Sequence, residues 1–327
     1  MKRVARRYGP VGNTGGAPDR DSLRRLRWLN ISAAVLHAGG VCATATVANL
    51  SLGVRLFMQE NSVVIPQSNG TDVAGAGPLI RTVRDFLVAH TRARPRAHAH
   101  AGRFTFMPMF RELSVVLPVS LLVLWQFAVT ASFHCAYAVF GGEDGAYARH
   151  VSSGNQSARW VEYSLSAPAM VVLVAISTGE RGVTTLLTIA ILTSLTQLCG
   201  HLSERANRQR AGSERRPGLG WPFLCGVGMQ TIVWALILQR FVSTVSAGTG
   251  KPPDFVYAIV ACEVVLFCSF AAVHVWHTHA AAVRPAQTAH VKAEVFYIIL
   301  SFASKAVLGG VLLYFVLGLE RFEDGVT

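Results

Sequence analysis

AEVFYIILSFASKAVLGGVLLYFVLG, residues 293–318, carries one charge in its middle, Lys305. The run is long enough to cross a bilayer as a single helix. An ammonium at the centre of a spanning helix costs about 2.5–3.5 kcal/mol on insertion scales. Such a lysine has a partner or a chemical job. One recurrent job is a covalent one, because a desolvated amine condenses with an aldehyde to a Schiff base. Snorkelling is the bland reading. It fits poorly, because Lys305 lies about 11 residues from Glu294, roughly 16 Å at 1.5 Å per residue.

The rest of the chain agrees with a membrane setting. Of 327 residues, 51% are hydrophobic and 15% charged, and the mean hydropathy is +0.39. A soluble domain carries about 25% charge. Six further apolar runs, 28–52, 113–140, 157–178, 183–202, 220–242 and 255–277, bring the total to seven. None shows strand alternation, so the expected architecture is an all-α, seven-helix membrane bundle. The cysteines Cys42, Cys135, Cys199, Cys225, Cys262 and Cys268 all fall inside apolar runs, which argues against a disulfide framework or a zinc knuckle.

Basic residues set the expected orientation. Lys2, Arg3, Arg6, Arg7, Arg20, Arg24, Arg25 and Arg27 precede the first run, and Arg205, Arg208, Arg210, Arg215 and Arg216 follow the fourth. Short loops on the opposite side hold only Arg181 and Lys251, with Arg321 in the tail. This places the N-terminus in the cytoplasm and the C-terminus outside. Residues 1–27 read as a disordered basic arm, 28–318 as the seven-helix domain and 319–327 as an outer tail. The net charge of +12 lies in this arm and the loops, where anionic lipid headgroups are its natural partner rather than nucleic acid. The first apolar run, about 25 residues, is longer than a signal-peptide core and is expected to remain as the first helix.

The long outer segment 53–112 reads as short strands followed by a helix over 79–90. Asn69-Gly70-Thr71 is a glycosylation acceptor, and His98 and His100 alternate with alanine too loosely for a metal site. No Walker loop, GxSxG elbow, HExxH or dinucleotide fingerprint occurs.

Polar residues inside the runs mark the site. Glu162 and Lys305 fall at similar membrane depth if the third helix starts near residue 152. His37, Thr130, His134, Ser166, Trp234, Glu263 and Ser301 are the others that bear on it, with Glu294 near the inner end of the last helix.

Local strings then carry a resemblance. RWVEYSLS at 159–166, FVYAI at 255–259 and SFASKA at 301–306, with His37 in LNISAAVLH, TASFH at 130–134 and Trp234, resemble the heliorhodopsins, microbial-type rhodopsins of inverted topology. The resemblance covers about 28–318. It implies all-trans retinal on Lys305 as a protonated Schiff base and Glu162 as its single counterion. It implies that Ser301 and Ser166 hydrogen-bond near that pair, with Tyr163 beside the counterion. Thr130, His134 and His37 would belong to an inner polar cavity reached through water. Trp234 and Phe267 would line the polyene. It further implies a homodimer, a photosensory output without ion pumping or enzymatic activity, and a signalling partner that the chain does not identify.

The chain departs from the family pattern at Thr130, Pro168, Thr193, Thr196 and Cys268, and most of all at Glu263, a position usually apolar. Glu263 would lie nine residues into a helix opening at Asp254. Glu263 and Glu294 therefore suggest a second function, a light-gated passive proton channel. A retinal-free viral envelope or transport protein is the third alternative. The expected membrane is the plasma membrane of a cell or viral host.

Overall fold

The computed structural model describes residues 20–47, 53–64, 105–141, 145–211, 218–246, 252–283 and 286–314, with side chains left aside in 53–64 and 105–116. The expected glycosylation site at Asn69, the helix over 79–90, His98, His100, the first nineteen residues and the tail lie outside the described residues. The chain divides into two compact units. One comprises Arg55–Val116 with Arg181–Thr184 and holds a two-stranded sheet of β1 (Gly53–Val64) and β2 (Thr105–Pro118). The other comprises Met1–Val54, Leu117–Glu180 and Thr185–Thr327 and holds the helices.

Those helices are α1 (Arg20–Val47), α2 (Val119–Val139), α3 (Ala146–Ser152), α4 (Ser157–Ser177), α5 (Val183–Ala211), α6 (Trp221–Ser246), α7 (Asp254–Val283) and α8 (Ala286–Leu312). All but α3 are long and apolar enough to span a membrane. The chain is an integral, multi-pass membrane protein with seven spans among its described residues. Their outward faces carry Leu121, Leu187, Ile191, Ile232, Val265 and Ile299, exposed apolar side chains that suit lipid.

Several boundaries differ from those read off hydropathy, each for a local reason. The run 113–140 is not one helix. Strand β2 continues to Pro118, and α2 begins only after it, because a proline has no N–H to donate into a preceding turn. Helix α1 starts at Arg20, so residues 20–27 are helix rather than arm. The third span does not start near residue 152. The short helix α3 ends at Ser152, and Gly154 takes φ +68° in the turn that follows. A Cβ there would also lie 2.7 Å from the His290 ring. Helix α7 opens at Asp254, directly after Pro252 and Pro253, as the sequence predicts.

Helix α4 is the most enclosed span. Every side chain from Ala169 to Ile176 is buried. It packs against α2, α6, α7 and α8, while α8 also packs against α1, α3 and α7. Pro168 sits inside α4 and leaves the carbonyl of Ser164 without its helical donor. The hydroxyl of Ser194 on α5 donates to that carbonyl at 3.0 Å, and the Trp125 indole on α2 donates to the next one, Leu165 O, at 3.0 Å. The proline thus frees the Ser164 carbonyl to tie α4 to α5, and the Trp125 indole ties the adjacent carbonyl to α2.

Helices α1, α2 and α8 meet around the Phe127 ring. A Cβ on Gly40 would come within 2.9 Å of that ring, and one on Gly309 within 2.5 Å. The adjacent Gly310 has nothing within 4 Å. Gly309→Ala should therefore destabilise the detergent-solubilised protein by about 1–3 kcal/mol through overpacking. Gly310→Ala should be neutral or stabilise by up to about 1 kcal/mol, from helix propensity. Thermal denaturation of the two variants side by side checks this, and equal behaviour would contradict the packing.

Candidate functional site

Lys305 lies on the inward face of α8 with Ser301, Ser304 and Leu308, and its side chain is buried. Its Nζ donates to Ser301 Oγ at 2.7 Å, one turn earlier. The carboxylate of Glu162, also buried, approaches from α4, with Oε1 3.8 Å from Nζ. The Tyr163 ring faces the ammonium at 5.5 Å, and its hydroxyl donates to Tyr297 O at 3.0 Å, which fixes the ring. With both side chains buried, each charge of the Lys305–Glu162 pair is the other's main compensation.

The amine opens into a cavity between α4, α5, α6, α7 and α8. Tyr163, Ala167 and Met170 line it from α4, Gly226 and Gln230 from α6, and Phe267 and Phe270 from α7. Its walls are mostly flat rings and small or apolar side chains, with the reactive group on α8. Such a space suits a long, flat, apolar molecule anchored covalently at Lys305. Gly200 on α5 sets part of its shape, since a Cβ there would fall 2.3 Å from Trp160. Trp234 is not among the lining residues. It stands behind Phe267 with ring centroids 5.7 Å apart and edge to face.

His37 on α1 and His134 on α2 stack, with centroids 5.7 Å apart and planes 9° from parallel. Both are buried, as are Thr130 and Ser166. Neither nitrogen of His37, nor His134 Nε2, nor Ser166 Oγ has a hydrogen-bond partner among the described residues. Ser166, one turn after Glu162 on α4, therefore makes no hydrogen bond to the pair.

A second polar centre, which the sequence reading passed over, surrounds Arg159 at the start of α4. Its guanidinium donates to Gln156 Oε1 and Glu294 Oε2, and at 3.1 Å to Glu204 Oε2. It also covers the Tyr297 ring at 4.0 Å. Glu204 accepts from the Trp160 indole at 2.7 Å and from the Gln156 backbone N–H at 2.9 Å. Tyr147 on α3 donates to Glu294 Oε1 at 2.8 Å. One cation thus binds two buried carboxylates and joins α3, α4, α5 and α8. Glu294, which the sequence offers as a proton relay, is held in this cluster. The sequence carries only a weak signal: Arg159 lies one turn before Glu162 on the same face, but at the edge of its apolar run, where a charge also reads as an ordinary helix end.

Glu263 on α7 is fully buried and both carboxylate oxygens lack a hydrogen-bond partner among the described residues. It lies one turn from Phe267, beyond the cavity lining.

A family model described as Heliorhodopsin matches residues 79–316. No curated protein matches. Among solved structures, the rhodopsin of Exiguobacterium sibiricum is 14% identical, with a TM-score of 0.47, covering 62% of this chain and 82% of that one. The light-driven proton pump LR (Mac) of Leptosphaeria maculans is 13% identical, with a TM-score of 0.43, covering 95% and 97%.

Removing Arg159 would leave two buried carboxylates without their cation. Arg159→Met should cost about 3–5 kcal/mol. Adding Glu204→Gln and Glu294→Gln in the same chain should recover most of the loss, because the uncompensated charge is then gone. Denaturation midpoints of the single and triple variants measure this, and a triple variant no better than the single would contradict the charge argument.

Proposed function

The chain belongs to the heliorhodopsin family, and on that premise we propose that it is a light-sensing retinal protein with all-trans retinal linked to Lys305. The observation that carries this reading is the buried amine opening into a flat-walled apolar cavity with one carboxylate 3.8 Å away. When bound as a protonated Schiff base, retinal would supply light absorption and a change of shape on isomerisation. The protein's part is to hold and balance the proton at the Lys305 nitrogen. Glu162 supplies the negative charge and Ser301 accepts the hydrogen bond. Tyr163, Phe267 and Phe270 hold the planar chain and exclude water.

The output we propose is a conformational signal rather than pumping. On this reading the N-terminus lies in the cytoplasm, from the basic-residue distribution and the family resemblance, and two copies form a homodimer, from the family resemblance alone. Light scattering of the detergent-solubilised protein tests the dimer, which a clean monomer would overturn.

Glu263 favours a second reading, a light-gated passive proton channel. A buried carboxyl group without a partner can gain or lose a proton when water reaches it. Under voltage clamp, photocurrents that reverse near the proton equilibrium potential and vanish in Glu263→Gln would support conduction. A coloured, well-expressed protein without photocurrent would leave the sensor.

Two substitutions test the primary reading. Lys305→Ala with added retinal should give no visible band, and a surviving band would refute the attachment site. Glu162→Gln should lose its visible band to the near ultraviolet, as pH rises, at a lower pH than the unchanged protein. The sign follows from charge: without the anion, the proton at the Lys305 nitrogen is less favoured and leaves sooner. An unshifted titration would assign the counterion role elsewhere.

A further inference from the structure

A chain of hydrogen bonds runs from the histidine pair to the Arg159 cluster. His134 Nδ1 lies 2.8 Å from Asn30 Oδ1. Asn30 Nδ2 donates to Leu26 O at 3.0 Å and to the Tyr147 hydroxyl at 3.2 Å. Tyr147 donates in turn to Glu294 Oε1 at 2.8 Å. Glu294 holds Arg159 through its other oxygen.

The direction of every link is forced. The Leu26 carbonyl can only accept, so the Asn30 atom facing it is the amide nitrogen. The amide oxygen therefore faces His134, and an amide oxygen can only accept. Nδ1 of His134 must carry a hydrogen. In the neutral ring Nε2 is then bare, and it is the nitrogen that has no partner among the described residues, in a side chain only 2% exposed. Tyr147 receives one hydrogen bond from Asn30 and gives its own to Glu294. Burial, with Glu294 beside it, pushes the Tyr147 phenol well above its ordinary range, so the hydroxyl keeps its proton. The Tyr147 ring is fixed by stacking on Tyr137, centroids 4.7 Å apart.

We propose that Asn30 and Tyr147 are positioning residues that hold His134 with its unpartnered Nε2 as the basic nitrogen, and that they couple the charge of the stacked His37–His134 pair to the Glu294–Arg159 cluster. The inference rests on the retinal reading only for its light-driven part. A proton lost from the Lys305 nitrogen and taken up at His134 Nε2 forms an N–H bond there, while the electron pair stays on the lysine nitrogen. His134 becomes a cation, and its Nδ1–H···Oδ1 bond strengthens. Asn30 then polarises towards Tyr147, and Tyr147 towards Glu294, each link reinforcing the next. The competition between Tyr147 and Arg159 for Glu294 shifts at the junction of α3, α4, α5 and α8. The proton itself stops at His134. Passing it through the Asn30 amide would require the imidic acid form, which an amide does not readily adopt. The chain therefore transmits charge as hydrogen-bond strength to one end of the bundle without leaking protons to it.

The test has two arms. The first uses 15N-histidine NMR of the full chain in detergent, without retinal, with the His134 signals identified by their loss in His134→Asn. A bare Nε2 and a protonated Nδ1 are expected, and the preference should disappear in Asn30→Leu. It should persist in Tyr147→Phe, where the Leu26 carbonyl still orients the amide. The opposite tautomer, or indifference to Asn30→Leu, overturns the proposal. The second arm adds retinal and follows flash-induced absorbance. Tyr147→Phe should change the lifetime of the near-ultraviolet state by at least about threefold, as loss of one hydrogen bond to a carboxylate implies. A smaller change overturns the coupling. If the unchanged protein takes up no retinal at all, the chromophore reading fails while the tautomer result is still decided by the first arm.

Discussion

A positive charge held away from water, 3.8 Å from one carboxylate, is the constraint on which the structure depends. Neither Lys305 nor Glu162 is tolerable alone in a spanning helix. Together they fix the facing of α4 towards α8, since rotating either helix would separate the pair. That facing turns Tyr163 under the amine and Tyr297 towards α4, and it leaves Ala167 and Met170 on the cavity wall. The same pair that stabilises the two charges therefore shapes the space beside them.

A second constraint operates near the start of α4. Arg159 is one helical turn from Glu162, so α4 presents a cation and an anion on one face at two levels. The cation binds Glu204 and Glu294, and through them α5 and α8. The helices are thus pinned at the Arg159 level by a buried ion cluster and at the Lys305 level by an ion pair. Between these levels run aromatic rings, Trp160, Tyr163 and Tyr297, in edge-to-face contact with centroids 6.2 to 6.5 Å apart. Rings packed in this way transmit a displacement, because a close-packed interior has little free volume to absorb it.

Much of this was legible in the sequence, and the failures have physical causes. Seven apolar runs gave seven spans, because lipid permits few alternatives to helix. Lys305 and Glu162 could be singled out because a charge in an apolar run is costly or purposeful, whereas Phe267 came only through the family resemblance. The depth argument that paired Lys305 with Glu162 used wrong helix starts: α4 opens at Ser157 and α8 at Ala286. Hydropathy cannot see that α3 is a separate short helix, because the turn after it depends on Gly154 and on the His290 ring it meets. Nor could it see β2 extending into the second run up to Pro118. Arg159 and Glu204 were hidden for another reason. Each lies near the edge of its run, where a charge looks like an ordinary helix end, and only their mutual contact shows that both are buried. Asn30 was silent because an asparagine carries no charge, and its role follows from which of its two amide atoms faces the Leu26 carbonyl.

The central claim is that Lys305, paired with Glu162, is the covalent anchor for retinal. Reduction with borohydride after incubation with all-trans retinal makes the linkage permanent, and mass mapping of the digested protein then locates it. The account predicts the retinyl mass on the peptide containing Lys305 and on no other. Retinyl label on Lys292 or another lysine, or no label at all in folded protein, would contradict it.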